Sequence, residues 1–179
     1  MRPFKMASTL LAFLVPLCLS APVLADVAAV DDPAGDGLKG RRLDITSLRL
    51  SNRDHAIVAR VSFVRAAAGD LAVWLQARGT KRRGVVLVAS VHRPKRGDRS
   101  FVRTAQGIQD CPGLHVAWDH GADTARVRLP SDCFRAGDYG AVRTRIITEI
   151  GSDADVAPEA PGGSDGDLRW RWSAWTDRG

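Results

Sequence analysis

The sequence predicts an all-β protein, a single antiparallel β-sandwich of about nine strands with an immunoglobulin- or jelly-roll-like arrangement. Three observations carry this. Apolar residues alternate at period two through most of the chain, as they do where one face of each strand is buried. Turn residues interrupt them at roughly 8–12-residue spacing. No amphipathic stretch reaches helical length.

In chain order, Arg2 and Lys5 precede an apolar run, Leu10 to Leu19, and Val23-Leu24-Ala25 ends it with small residues. This is the build of an export signal cleaved after Ala25, and the run is shorter than the ~20 residues a bilayer span needs. The expected mature chain, residues 26–179, is one domain with formal charge +4 once Arg2 and Lys5 are gone. No later segment is long and apolar enough to span a membrane, so a secreted protein is expected.

An acidic turn, Val30 to Gly37, opens onto a strand with Thr46, Leu48 and Leu50 on one face. Ser51 to Asp54 turns the chain, and Ile57, Ala59, Val61 and Phe63 alternate on a second strand. Leu71 to Leu75 and Val85 to Val91 are apolar on both faces, as central strands are, and are separated by the basic turn 78–84. A polar loop, His92 to Asp98, leads to a short strand at Phe101 to Thr104. Leu114, Val116 and Trp118 then alternate opposite Ala125, Val127 and Leu129, joined by Asp119-His120-Gly121-Ala122-Asp123. If residue numbers across this hairpin sum to 244, Trp118 faces Arg126 and Val116 faces Arg128. The same sum pairs Cys111 with Cys133, which predicts a disulfide in an oxidising compartment. Its 23-residue loop would contribute roughly 3 kcal/mol. Tyr139 to Ile150 reads as a long strand, 151–167 as a mobile Gly-, Asp- and Pro-rich loop, and Leu168 to Trp175 as a last strand. Short helical turns are allowed only at Ala66 to Ala68 and Ser131 to Arg135; Trp74 and Trp118 are expected in the core.

The first part of the domain resembles DOMON-like and carbohydrate-binding-module-9-like sandwiches. The resemblance rests on Asp32-Pro33-Ala34-Gly35-Asp36, on Leu43-Asp44-Ile45-Thr46-Ser47-Leu48, on the Asn52-Arg53-Asp54 turn and on Val61-Ser62-Phe63, within residues 30 to 75. Cys111-Pro112-Gly113-Leu114 and Asp155-Val156-Ala157-Pro158 resemble segments of small secreted actinobacterial proteins, and 22 Arg to 4 Lys fits a high-GC genome. The resemblance implies a binding module, with tryptophans as sugar platforms and calcium near the N-terminal loop. It also implies no haem here: Met1 and Met6 both lie in the signal segment, so the mature chain lacks a Met ligand.

Calcium takes six to eight oxygens, several from carboxylates. Asp31, Asp32 and Asp36 offer them on a glycine-punctuated turn, and Asp153 and Asp155 would complete the shell if the two loops meet; Asp44 is within reach of the same place. The other reading is a solvated acidic turn with no metal. For a glycan, Trp175 is the tryptophan expected to be exposed. For an anionic wall polymer, the cluster at Lys81, Arg82 and Arg83 is the candidate, beside Arg41-Arg42 and the 93–103 segment; the alternative is solvated turns. Nucleic acid is not expected, because no aromatics interleave the basic runs. No catalytic residues are nominated. The four histidines are scattered, only Glu149 and Glu159 are glutamates, and neither a Gly-x-Ser-x-Gly elbow nor a phosphate loop is present. The expected function is therefore a secreted, non-enzymatic binding or accessory module for a glycan or anionic wall polymer. The alternatives are a protein-interaction domain without a small ligand, or a hydrolase whose site is assembled only in three dimensions.

Overall fold

A computed structural model describes residues 27–35, 42–78, 83–159 and 171–179. The segment expected to be an export signal, Asp36, Arg41, Lys81, Arg82 and Trp170 lie outside the described residues, as does the side chain of Arg83.

Two antiparallel sheets pack face to face, as the alternation requires. One has five strands in the order β1 (Val27–Asp31), β2 (Ile45–Arg53), β3 (Ala56–Phe63), β9 (Thr124–Pro130) and β8 (His115–Asp119). The other has six, in the order β11 (Asp153–Ala157), β10 (Ala141–Ile150), β4 (Gly69–Arg78), β5 (Arg83–His92), β6 (Arg99–Thr104) and β7 (Gly107–Gln109). Leu48, Leu50, Ala59, Val61, Val127 and Leu129 from the first sheet meet Leu71, Val73, Leu75, Val88, Val142 and Ile146 from the second, all fully buried.

Among the described residues, eleven strands stand where nine are expected. β7 is too short to carry an alternation signal, and β1 takes in Val30 and Asp31, which the sequence assigns to the acidic turn. The hairpin register sums to 243, so Val116 faces Val127 and Trp118 faces Ala125. Residues directly opposite in an antiparallel pair share a face. The 244 register would have set apolar side chains beside Arg126 and Arg128, and burial selects the other. Cys111 and Cys133 are disulfide-bonded with Cα atoms 5.5 Å apart, just beyond the ladder rather than in it.

The 151–167 stretch is not all loop, because Asp153–Ala157 pairs with β10. Tyr139 and Gly140 precede that strand rather than starting it. Residues 171–175 form no ladder strand. They follow the free part of the β10 edge, where Ser173 N–H donates to Thr144 O (2.8 Å) and Thr176 bridges Val142. Ala66 and Ala67 are irregular, whereas Ser131–Cys133 and Arg135–Gly137 form successive 3-10 turns. Trp74 and Trp118 are half-buried rather than core. Among the described residues, no helix is long and apolar enough to cross a membrane.

Candidate functional site

The two acidic segments do approach one another, through the start of β2. Asp44, almost fully buried, accepts from Gly35 N–H (2.8 Å) in the N-terminal turn. Asp155, buried on β11, accepts from Ile45 N–H (2.6 Å) and from its neighbour Val156 N–H (2.8 Å). Asp32 is buried beside Thr46, whose carbonyl accepts from its N–H (3.1 Å). Asp31 is exposed on β1 and Asp153 is half-buried on β11. The carboxylates of Asp44 and Asp155 thus satisfy backbone donors at the sandwich corner. Among the described residues no three His, Cys, Asp or Glu side chains converge as metal ligands do, and Asp36 lies outside those residues.

Replacing Asp155 by Ala would leave the Ile45 N–H buried without its acceptor, a cost of about 1–3 kcal/mol. The variant is expected to melt lower by that amount with or without calcium. A loss that appears only when calcium is present would support the metal reading.

Trp175 does not stand free as a sugar platform. Arg78 and Arg143 lie over its ring, at 5.7 and 4.6 Å from the centroid. Arg143 also lies over Trp172 (5.1 Å), and Arg145 over both Trp172 (4.6 Å) and Trp74 (5.6 Å). The result is an alternating arginine–tryptophan stack that holds the C-terminal segment on the outer face of β10 and β4. Burial lowers the Arg145 guanidinium below its ordinary value. Sugar stacking needs an open indole face, and Trp175 is half-buried with guanidinium groups over its ring.

A row of arginines lies outside the contiguous basic runs. On the outer face of the five-stranded sheet, Arg49 pairs with Arg60 and Arg60 with Arg126, across three adjacent strands. Arg128 lies two residues along from Arg126, and all four are exposed between buried neighbours. Adjacent strands are only about 4.8 Å apart, and like charges directly opposite one another destabilise a sheet. No carboxylate among the described residues forms an ion pair with any of the four. The acidic side chains of this face, Asp31 and Asp119, sit on its two edge strands, in register with Ser47 and Thr124 respectively. The signal in the sequence was an arginine at the outward position of each of three strands. Only the strand order makes them neighbours.

A second grouping also escaped sequence reasoning. His92, 4% exposed at the end of β5, shares hydrogen bonds with Asp98 (Nδ1 to each carboxylate oxygen, 2.9 Å) and faces His120 (Nε2 to Nε2, 2.9 Å). Trp118 stacks on the His92 ring (4.5 Å, 12° between planes) and donates to Ser90 Oγ (3.3 Å). Partial desolvation opposes the charge on Asp98. The Arg93 N–H, the His92 hydrogen bond and the nearby positive charge of His92 and His120 outweigh it and hold the carboxyl below its ordinary value. Ser90, His92 and Asp98 are thus close together but do not form a hydrolytic triad. The serine bonds Trp118, and the histidine nitrogen that would activate a nucleophile meets another histidine.

No protein-family model, curated protein or solved structure matches this chain.

Proposed function

We propose that the protein is an exported, non-enzymatic binding module whose ligand is an anionic polymer of the cell exterior, laid across the Arg49–Arg60–Arg126 row. The row itself carries the reading. Three uncompensated cations in direct cross-strand register work against folding, and a polyanion with closely repeated charges removes that cost when it binds. The surface is a sheet face rather than a cleft, which suits a chain-like ligand. Arg128 widens the positive field along the strands. The resemblance of Asp32 to Asp36 and Leu43 to Leu48 to DOMON-like and carbohydrate-binding-module-9-like sandwiches supports a binding role. The disulfide and the export-type N-terminus support an oxidising, extracellular setting.

The test uses a glycerol-phosphate polymer as ligand and a neutral β-glucan as control. Binding to the polyanion alone is expected, weakening steeply with salt. Arg60→Glu places a carboxylate between Arg49 and Arg126. It is expected to lower affinity at least about tenfold, a change of ~1.4 kcal/mol. The same change should leave stability equal or raise it by about 0.2–1 kcal/mol, because opposite charges now face each other. Lys95→Glu, which alters net charge equally away from this face, should weaken binding far less. Equal losses from Arg60→Glu and Lys95→Glu would reduce the effect to net charge and remove the site.

A further inference from the structure

The His92–His120 pair has the features of a metal site. The ring nitrogens not facing each other are both committed: His92 Nδ1 to the Asp98 carboxylate at 2.9 Å, and His120 Nδ1 to the Ala66 carbonyl at 3.3 Å. Both partners are acceptors, so each Nδ1 carries a hydrogen, and the two Nε2 atoms stand 2.9 Å apart in a hydrogen bond that needs one further proton between them. A metal ion in place of that proton would be held by both nitrogens. Metal-binding histidines are held in this way, with the outer N–H given to a carboxylate or a backbone carbonyl. Two metal–nitrogen bonds of about 2.0–2.1 Å at right angles place their donor atoms roughly 2.9 Å apart.

The surroundings divide the work between the two rings. His92 is buried, clamped by Asp98 and stacked on Trp118, so its position is set by β5 and β8. His120 lies exposed in the turn between β8 and β9 and gives an ion access from solvent. The rings meet closer to head-on than two such ligands would, with centroids 5.0 Å apart, and the exposed His120 ring supplies the rotation needed. Asp119 and Asp123 in the same turn already accept backbone N–H groups: Asp119 from Gly121 and Ala122 (2.9 and 3.0 Å), Asp123 from Ala66 (2.8 Å). With no third protein donor converging among the described residues, water completes the coordination.

We infer that His92 and His120 form a two-histidine site for a late first-row transition-metal ion, with copper(II) the best fit. Imidazole suits copper, nickel and zinc; the right-angle spacing suits a tetragonal ion, and copper(II) heads the affinity order. The site is separate from the arginine face, and its test is independent of polymer binding.

The experiment titrates copper(II) into the tag-free mature chain in the presence of glycine as a weak competitor, followed by electron paramagnetic resonance and thermal melting. One tetragonal copper per chain with splitting from two imidazole nitrogens is expected, and the melting temperature should rise and fall back on adding chelator. His120→Ala, an exposed change, should weaken binding at least tenfold with the fold intact by circular dichroism. Asp98→Asn should weaken it by about 10–100-fold as a positioning residue. Both His55→Ala and His115→Ala should change nothing. No binding above the glycine competitor, a spectrum with a single imidazole, or His120→Ala binding as tightly as the parent would each overturn the assignment. In the last two cases the pair is a hydrogen-bonded, proton-sharing contact between the sheets.

Discussion

Gly69→Ala is expected to lower stability by about 2–3 kcal/mol, among the largest effects of a single methyl group in this domain. Gly69 opens β4 opposite His92, at the corner where the chain entering β2 crosses the sheet. A Cβ there would stand 2.3 Å from Leu43 Cδ1, 2.8 Å from the Glu149 carbonyl oxygen and 3.0 Å from Ile150 Cγ1. The carbonyl belongs to β10 and cannot withdraw without opening the ladder. Leu43 cannot withdraw easily either. It is 1% exposed and has a φ of 55°. Its N–H donates to Arg65 O (2.9 Å), and its carbonyl accepts from Thr148 Oγ1 (2.7 Å). At roughly 2–4 °C per kcal/mol for a domain of this size, the melting temperature should fall by about 4–12 °C. A variant that melts within a degree of the parent would show that Leu43 is not packed against β4 as described.

That corner also shows what the sequence could and could not convey. The central strands were legible because period-two alternation reports one buried face. Ile57 to Phe63 and the doubly apolar Leu71–Leu75 both land where their patterns put them. The sequence does not mark Leu43 as core, because no periodicity signals a residue that enters the core from a turn. Asp153–Ala157 looked like a loop because Gly, Asp and Pro dominate around it. Asp155 is tolerated in that strand because two backbone N–H groups satisfy its carboxylate. The disulfide was legible from two cysteines, although the register used to support it was wrong by one residue. The two sites were not legible as sites. Arg49, Arg60 and Arg126 are separated by 11 and 66 residues and become neighbours only through the order β2-β3-β9. His92 lies on β5 and His120 in the β8–β9 turn of the other sheet, and their meeting depends on how the sheets are stacked, which alternation does not encode.

Replacing both Cys111 and Cys133 by Ser is expected to cost roughly 3 kcal/mol by the chain-entropy model for a loop of this length. That corresponds to a fall of about 6–12 °C in melting temperature. The clasp closes a segment containing both β8 and β9, and the two strands depend on it unequally. β9 is held by β3 along seven registered pairs, from Ala56↔Pro130 to Ser62↔Thr124. β8 is an edge strand whose ladder partner is β9 alone, over five pairs, and every second residue of it is exposed. Phe134, fully buried beside Cys133 and packed on Tyr139 (5.0 Å), anchors the other end of the clasp in the core without help from the disulfide. Loss of the bond should therefore free the chain from Cys111 into β8 before it disturbs β9. Hydrogen exchange on the double-Ser protein should show β8 amides losing protection first, with β2 and β3 close to the parent. Trp118 and His120 would loosen with β8, whereas Arg49, Arg60 and Arg126 would keep their places. The two sites then respond differently: copper binding should weaken while polymer binding persists. Uniform loss of protection across β2, β3, β8 and β9 would instead mean that the disulfide supports the whole five-stranded sheet.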